Sequence, residues 1–439
     1  MKVLSLFDGM ACGMLAMRSD GIAVDRYVAF EIDKYAVQTS AHNFPMIEHR
    51  GDVFQADFTE FRGFDFVVGG SPCTYWSIAQ KNNRETEASG MGWELFSQYV
   101  RAVKEAQPLY FIYENNKSMA NAIRQSITDT FGFEPICINS ALVSAQNRQR
   151  LYWVGKRNLN GTYSRVHVNQ PIDRGILLRD ILDGSEPFGE TNGKSFAVTA
   201  SYWKGQPKNK IIEKSQRTHV IEPVVTTGLA SMAAEPVNVT ECGKAQTLKA
   251  QYHKNSVSNF CCYHSTYGAS GVCEPVRVGT MPNNAKNKAH DSQQYRIYST
   301  VGKSVALCGN GGGMGAITGL YAIPCEWDEN GEPLKAVSYA DGKTYLVYEV
   351  KNGQITIKEK QYPIKLPDGF YIIRKLTVSE CKRLQTVPEW YEFPVSDSQA
   401  YKMLGNGWTV EVIAHLIAAT QENTLADEQL DLFSFMEGV

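Results

Sequence analysis

The stretch Val3-Leu-Ser-Leu-Phe-Asp-Gly-Met-Ala-Cys-Gly-Met14 joins a short apolar run to a glycine turn. The apolar run predicts a buried strand. Gly9 and Gly13 let the backbone turn tightly and approach a ligand before a helix begins. The two glycines do not make the complete dinucleotide-binding fingerprint. Taken alone, the stretch predicts a strand, a turn and a helix at the start of an α/β sheet.

Short apolar runs alternate with helical patterns over the first 155 residues. This alternation is typical of a parallel sheet covered by helices. The strands are predicted at 3–7, 25–31, 64–69, 109–114 and 151–155, and the helices at 34–42, 93–106 and 117–131.

The pattern changes at about residue 158 to a composition rich in Gly, Asn, Ser, Thr and Pro, which predicts an inserted, irregular, loop-rich β domain. Three segments in it look alike, which indicates either a degenerate repeat of turn plus strand or a coincidence among small residues. They are 193–201, 243–251 and 302–310.

Helical order returns near residue 375. Thr377-Val-Ser-Glu380 has the capping-box pattern that begins a helix. A last helix is indicated by apolar residues at helical spacing, namely Val412, Ile413, Leu416 and Ile417. We therefore predict that residues 1–157 and 374–420 pack into one domain, that residues 158–373 form a domain inserted between them, and that residues 421–439 form a tail.

Composition places the chain among soluble globular proteins, with 43% hydrophobic and 21% charged residues. The first apolar run stops at Asp8, too early for a signal peptide, so we expect a cytoplasmic protein. The ten cysteines show no disulfide-like spacing, and we expect free thiols. Four potential ligands lie close together, but adjacent cysteines match no paired zinc spacing, so no metal is predicted at Cys261, Cys262, His264 and Cys273.

The net charge of −2 hides an uneven distribution, because residues 201–300 carry 12 Lys and Arg against 6 Asp and Glu. That region could face phosphates. A solvated lysine-rich surface explains the same count equally well.

Two carboxylates stand at predicted strand ends. Glu31 ends the second strand, 22 residues after Gly9, where a carboxylate typically accepts hydrogen bonds from ribose hydroxyls. Asp52, in Arg50-Gly-Asp-Val53, suits an adenine amino group at the third strand. Each acid alone would more often be a solvated loop residue. Their serial placement predicts a nucleoside site.

A second group of reactive residues follows other strands. The residues of Gly69-Gly-Ser-Pro-Cys-Thr74 are typical of a turn and follow a predicted buried strand. A turn would expose Cys73 at the sheet edge as a nucleophile. A buried structural cysteine is the usual alternative. Glu114 ends another strand at the same edge, and Arg148 and Arg150 alternate before a further strand, so their side chains point one way. Nucleophile, acid and arginines together indicate an active site.

The order of these motifs resembles the DNA cytosine carbon-5 methyltransferase family. The matching segments are Phe7-Asp-Gly9, Ser71-Pro-Cys73, Glu114-Asn115, Gln146-Asn-Arg-Gln-Arg150 and Leu404-Gly-Asn-Gly407. The likeness spans 1–155 and 374–420 and favours bacterial and phage enzymes, while Asp8 and Trp408 are similar to the mammalian de novo branch. The chain departs from the family pattern at Asn116, where valine is usual, and at Ala11 and Cys12 in the glycine turn.

The resemblance implies a reaction and a donor. Cys73 would add to carbon 6 of a cytosine, Glu114 would hold ring nitrogen 3 and the exocyclic amine, and Arg150 would contact the carbonyl oxygen with Arg148 in support. S-adenosylmethionine would supply the methyl group. The residues that the resemblance places around it are Phe7, Asp8, Gly9, Glu31, Asp52, Val53, Pro72, Leu95, Asn406 and Trp408.

The resemblance also implies double-stranded DNA as substrate, with the target base flipped out and the protein acting as a monomer. Residues 74–92 would form a mobile loop behind the base, with Gly90 and Gly92 as hinges. Residues 158–373 would read base edges. Two alternatives stay open: transfer-RNA methylation, and a DNA-binding regulator that has lost catalysis.

The segment Gln429-Leu-Asp-Leu-Phe433 resembles the peptide by which bacterial proteins dock on the replication sliding clamp. The alternative is a tail whose leucines and phenylalanine cover the protein's own core.

Overall fold

The computed structural model describes residues 1–77, 84–183, 344–357, 360–374 and 376–422, together with short strands between residues 260 and 338. These residues divide into two compact units. The first lies within Met1–Ser140, Gln149–Ile172 and Gln385–Val439, and the second within Ala141–Arg148 and Asp173–Leu384.

The first unit is built on an eight-stranded sheet. Seven strands follow the order β3-β2-β1-β4-β5-β7-β6, and β8 pairs with β7. The strands are β1 (Lys2–Leu6), β2 (Arg26–Phe30), β3 (Glu48–His49), β4 (Phe66–Gly69), β5 (Tyr110–Asn116), β6 (Ile136–Asn139), β7 (Gln149–Arg157) and β8 (Tyr163–Arg165). The five strands predicted from the apolar runs are confirmed.

Neighbouring strands from β3 to β5 are parallel, as the alternating pattern predicts. The strand β7 is different, because it pairs antiparallel with both β5 and β6. Only nine residues connect β6 to β7, too few for the crossover helix that a parallel pair needs. The sheet is therefore mixed, and Arg150 faces Asn116 across the β5–β7 pair.

Four helices of the first unit alternate with these strands: α1 (Cys12–Ser19), α2 (Lys34–Asn43), α3 (Gly90–Ala106) and α4 (Asn121–Phe131). The apolar positions of α3 recur at helical spacing, so one side of it is buried in the core. That core is unusually aromatic and includes Phe96, Tyr99, Phe111, Tyr113 and Trp153. The strands β4 and β5 are buried over their whole length, and β1 and β2 are buried after their first residue, which is typical of such sheets.

The C-terminal part of the first unit is helical. It contains a helix at Asp397–Asn406 and another at 410–422. The second confirms the helix predicted from Val412 and its neighbours, whose side chains are fully buried.

The described residues of the second unit include many β-strands, in agreement with the predicted inserted β domain. A sheet has the order β11-β12-β13-β18-β15-β16-β17, with β14 on β15, and it is antiparallel except for β12 and β13. Its strands are β11 (Arg277–Thr280), β12 (Arg296–Ser299), β13 (Leu320–Pro324), β14 (Ala336–Ser338), β15 (Thr344–Lys351), β16 (Gln354–Ile357), β17 (Lys360–Pro363) and β18 (Gly369–Arg374). A separate pair joins β9 (Phe260–Cys261) to β10 (Tyr267–Gly268).

The second unit also contains the helix α5 (Val378–Leu384), and the predicted capping box at its start is confirmed. The Glu380 amide donates to Thr377 Oγ1 at 3.1 Å, and the Thr377 amide donates to Glu380 Oε2 at 2.7 Å. We number the two later helices of the first unit α6 (Asp397–Asn406) and α7 (410–422).

Several predicted features lie outside the described residues: the three similar segments, residues 78–83 of the predicted loop, Cys262, His264 and Cys273, and Gln429–Phe433. Among the residues that are described, no cluster of His, Cys, Asp and Glu could hold a metal ion. Within the same part of the chain, every helix is too short or too polar to cross a membrane.

Candidate active site

The turn after β1 is the first part of the site. Phe7, Gly9 and Ala11 all have left-handed backbone conformations, with φ of 57°, 58° and 60°. Open space surrounds the position that a Cβ would take on Gly9. Ala11 stands where glycine is usual in the family. Its left-handed conformation is energetically unfavourable for a residue that has a Cβ. The strained turn brings the Gly9 amide close to the end of β2.

Glu31 follows β2 and holds this turn in place. Its Oε2 accepts a hydrogen bond from the Gly9 amide at 2.8 Å. Its Oε1 accepts from the amides of Ile32 and Asp33, each at 2.8 Å. Three backbone donors thus fix the carboxylate, and its remaining lone pairs can accept from a hydroxyl group.

Asp8 points into the protein. Its Oδ1 accepts from the Ser5 hydroxyl at 2.6 Å and from the Tyr27 hydroxyl at 2.7 Å, while its buried Oδ2 has no hydrogen-bond partner. Burial raises the pKa of this carboxyl from 3.8 to about 6, against the lowering effect of the two hydroxyl donors. The Asp8 side chain therefore stabilises the turn through hydrogen bonds in the protein interior.

Asp52 stands at the same sheet edge, three residues after β3. It is the N-cap of a short 3₁₀ turn, and its Oδ1 accepts from the Phe54 amide at 3.0 Å. Val53 beside it is buried, whereas the side chains of Ile32 and Phe54 are 77% and 46% exposed. The ends of the neighbouring strands β2 and β3 thus carry two carboxylates and two exposed apolar side chains.

Cys73 lies where the sequence predicts a nucleophile. The strand β4 ends at Gly69, and Cys73 begins a 3₁₀ turn at Cys73–Tyr75 after Pro72. Its side chain is partly exposed and in no disulfide. The segment before it is bonded to β5, because the Ser71 hydroxyl lies 2.7 Å from the Tyr113 hydroxyl and Asn115 Nδ2 donates to Ser71 O at 3.2 Å.

Glu114 is held between two donors. Arg150 Nε lies 3.0 Å from Oε1, and both side chains are 11% exposed. Trp408 Nε1 donates to Oε2 at 2.9 Å. A Cβ on Gly70 would lie 2.8 Å from Oε2, so only glycine fits beside this carboxylate. Because Gly70 is three residues from Cys73, the acid and the thiol share one edge of the sheet.

A family model described as C-5 cytosine-specific DNA methylase matches residues 1–422. The chain belongs to this family. The resemblance drawn from the order of its short motifs is therefore confirmed, and with it the α/β fold and the prediction of a cytosine C5 methyltransferase.

Among curated relatives, this methylase is similar to the orphan methyltransferase M.SPRI of Bacillus phage SPR, with 26% identity covering 94% of this chain and 95% of the relative. The orphan methyltransferase M.Rho11sI of Bacillus phage rho11s is also 26% identical, over 94% of this chain and 96% of the relative. Among solved structures, the Entamoeba histolytica methyltransferase EhMeth covers 97% of this chain and 98% of its own, with a TM-score of 0.50 and 11% identity. That structural likeness shows the fold alone.

The unusual Asn116 of this methylase belongs to a buried amide network. Its Nδ2 donates to Asn115 Oδ1 at 3.1 Å, and its Oδ1 accepts from the Ser118 hydroxyl at 2.7 Å. Valine could make neither bond. Asn116 therefore adds two hydrogen bonds to the segment after Glu114, and the Glu114 carboxylate keeps its own partners.

Arg148 ends the segment Ala141–Arg148 of the second unit, whereas Arg150 belongs to the first. The Arg148 side chain is buried, and its supporting role stays a prediction. Of the other predicted donor-site residues, Leu95 packs against the core and Asn406 is exposed at the end of α6. Trp408 donates its ring N–H to Glu114, and its predicted contact with the methyl donor stays a prediction.

The described part of the predicted loop is tied to α3. Glu85 Oε2 accepts from Trp76 Nε1 at 3.0 Å, and both its oxygens lie 3.2 Å from the Gly92 amide. A Cβ on Gly90 or Gly92 would meet the Glu85 carboxylate at 2.5 or 2.6 Å. In this structure, the two glycines predicted as hinges make room for Glu85.

Sequence reasoning missed Gln385, which organises the segment around Trp408. Its Nε2 donates to Leu404 O at 2.6 Å, and its Oε1 accepts from the Thr409 hydroxyl at 2.9 Å. Its backbone carbonyl accepts from the Val410 amide at 3.0 Å. Apart from its position after a helix, no pattern in the sequence marks this glutamine.

Proposed function

We propose that this protein is a DNA (cytosine-5-)-methyltransferase that uses S-adenosylmethionine and acts on cytosine in duplex DNA. The observation that carries the proposal is the Glu114 carboxylate, shielded from solvent and held by Arg150 beside the turn that leads to Cys73. In a family of cytosine methylases, a nucleophile and an oriented acid at one sheet edge are the groups that the reaction needs.

The residues after β1, β2 and β3 fit the methyl donor. Glu31 has lone pairs for ribose hydroxyls, Gly9 leaves open space over the turn, and Ile32 and Phe54 offer exposed apolar surface for an adenine. Asp52 would accept from the adenine amine. When bound, S-adenosylmethionine supplies an electrophilic methyl group. Asp8 would support the turn that carries Gly9, since its carboxyl accepts from Ser5 and Tyr27.

The reaction at the base follows from the poor nucleophilicity of carbon 5. The Cys73 thiolate would add to carbon 6, which makes carbon 5 electron-rich. Glu114 would hold nitrogen 3 and the exocyclic amine, and Arg150, supported by Arg148, would contact the carbonyl oxygen at position 2. After methyl transfer, loss of the carbon-5 proton expels the Cys73 sulfur. The products are 5-methylcytosine and S-adenosylhomocysteine.

The target base must leave the duplex to reach Cys73. Unstacking and unpairing it costs on the order of a few kcal/mol. Closure of residues 74–92 and contacts from residues 158–373 would offset that cost, and the latter would read the recognition sequence. We propose 158–373 as the recognition domain and 1–157 with 374–420 as the catalytic domain.

The nucleophile is tested with Cys73→Ala and Cys73→Ser. Both variants are expected to lose methyl transfer from labelled S-adenosylmethionine while they retain DNA binding. Wild-type protein should form a covalent adduct with duplex DNA that contains 5-fluorocytosine, because the fluorine blocks the final elimination. Methyl transfer by either variant would refute the role of Cys73, and a wild type without adduct would indicate a regulator that has lost catalysis.

The choice of nucleic acid is tested by offering duplex DNA and transfer RNA side by side. We expect labelled methyl groups on DNA, and bisulfite sequencing then gives the recognised sequence. If only transfer RNA is methylated, the substrate is RNA and the proposal of a DNA substrate is wrong.

Two finer proposals concern partners and location. We propose that the protein binds DNA as a monomer in the cytoplasm of a bacterium, and that Gln429–Phe433 docks on the sliding clamp. A peptide of residues 421–439 that fails to capture purified clamp at high micromolar concentration would remove the docking proposal.

A further inference from the structure

We propose that Trp408 is a positioning residue for Glu114 and that it thereby sets the preference for cytosine over uracil. The proposal rests on the proposed function. It departs from the donor-site role that the family resemblance implies for Trp408, and it starts from the direction of the indole N–H.

The Glu114 carboxylate is fixed on three sides. Arg150 approaches Oε1 at 3.0 Å and Trp408 Nε1 approaches Oε2 at 2.9 Å. The backbone at Gly70 closes a third side, since a Cβ there would lie 2.8 Å from Oε2 and 3.4 Å from the indole nitrogen. Donors on both oxygens define the plane of the carboxylate, which a single donor could not do.

The indole is itself held by a buried framework. Gln385 binds the carbonyls of Leu404 and Gly407 on one side of Trp408 and the hydroxyl of Thr409 on the other. Thr409 in turn lies 2.8 Å from the Ser140 hydroxyl at the end of β6. Gln385, Thr409 and Ser140 are each only 1% exposed. Both chain neighbours of Trp408 are thus held by hydrogen bonds, which fixes the position of its backbone.

The orientation matters because the two oxygens of Glu114 meet different atoms of the base. Cytosine presents a lone pair at nitrogen 3 and an N–H of its amine, so one oxygen must share a proton with nitrogen 3 while the other accepts from the amine. Uracil presents the reverse pattern, an N3–H and a carbonyl oxygen. A carboxyl group held by Arg150 and Trp408 cannot exchange the roles of its two oxygens, so uracil is left with unpaired groups. Without the indole donor the group can turn and pair with uracil instead.

The test compares wild type with Trp408→Phe, which keeps a ring and removes the N–H. The matched control is Trp153→Phe, which removes an indole donor that lies 3.3 Å from Thr128 Oγ1 in the same unit. Initial rates with labelled S-adenosylmethionine are measured on two duplexes that differ only in cytosine or uracil at the target position. Calorimetry of donor binding and the thermal unfolding midpoint show whether each variant is folded.

We expect Trp408→Phe to lower kcat on cytosine and to reduce the cytosine-to-uracil ratio of kcat/KM by about tenfold or more, the scale of one misplaced hydrogen bond at a charged group. The KM for S-adenosylmethionine should stay within about twofold. Trp153→Phe should leave the ratio unchanged.

A raised KM for the donor with unchanged base discrimination would overturn the proposal and return Trp408 to the donor site. If neither wild type nor Trp408→Phe labels the uracil duplex above background, base discrimination is unchanged and the proposal is overturned. If wild type methylates neither duplex, the proposed function is wrong. This outcome differs from the one that would refute the role of Trp408 alone.

Discussion

Asp8 shows how one buried side chain makes the stability of this protein depend on pH. Its pKa in the folded protein is about 6, raised by burial from 3.8. Between pH of about 4 and 6 the folded state therefore holds more protons than the unfolded state, and stability falls as the pH rises. Above pH 6 the penalty is complete, and two pKa units correspond to roughly 3 kcal/mol.

Asp8→Asn removes this penalty, because an amide oxygen can still accept from Ser5 and Tyr27. The variant should unfold at a higher temperature than wild type at pH 8, and the difference should shrink as the pH approaches 4. Thermal unfolding followed by circular dichroism from pH 4 to 8 measures it, with the exposed Asp129→Asn as control. An equal shift at every pH would contradict the assignment.

At the residue scale, position in the sequence predicted which residues gather at the sheet edge but not where their side chains point. Glu31 follows β2 and Glu114 lies near the end of β5, and both carboxylates are fixed by nearby donors. Asp8 turns inward and Trp408 turns to Glu114. Both directions depend on partners distant in the chain, Tyr27 and Glu114, which a local motif does not contain.

At the element scale, the turn between α6 and α7 depends on Gln385. Replacing it by leucine keeps a similar volume but leaves the buried carbonyl of Leu404 and the Thr409 hydroxyl with fewer partners. The loss of stability should be about 1–3 kcal/mol. Because the same turn carries Trp408, methyl transfer should fall and discrimination against uracil should weaken.

The measurement for Gln385→Leu combines urea unfolding with methylation rates on the cytosine and uracil duplexes. Gln38→Leu is the control, since its amide donates to Pro394 O at 3.1 Å on an exposed part of the first unit. Destabilisation with an unchanged cytosine-to-uracil ratio would show that Gln385 supports the fold but does not orient Trp408.

Elements with a strong local pattern are predictable from the sequence, whereas the order of strands in the second unit is not. The parallel strands and the capping box at Thr377 follow from periodicity and spacing. The hairpin of β15 and β16 turns at Asn352 and Gly353, whose φ values are 54° and 68°. Asn-Gly between β-rich runs is a strong hairpin signal. The sheet order depends on long-range pairing, such as β13 with β18, which composition does not encode.

At the scale of the whole molecule, the charge of the chain opposes binding to DNA unless it is unevenly distributed. The net charge is −2, but residues 201–300 have six more basic than acidic residues. Counterion release makes each lysine that neutralises a phosphate contribute about 0.9 to the salt dependence of log K. A recognition domain in 158–373 would therefore carry most of the salt-dependent affinity.

Four lysines within eleven residues, Lys204, Lys208, Lys210 and Lys214, give the sharpest test. Changing all four to glutamine should weaken binding to specific and non-specific duplexes alike and lower the salt slope by about 0.9 for each phosphate that is no longer neutralised. The recognised sequence should not change, because phosphate contacts carry no sequence information. The matched control changes the same four lysines to arginine, which keeps the charge and should keep the slope. If the glutamine variant binds with an unchanged slope, these lysines form a solvated surface and the phosphates are held elsewhere in the protein.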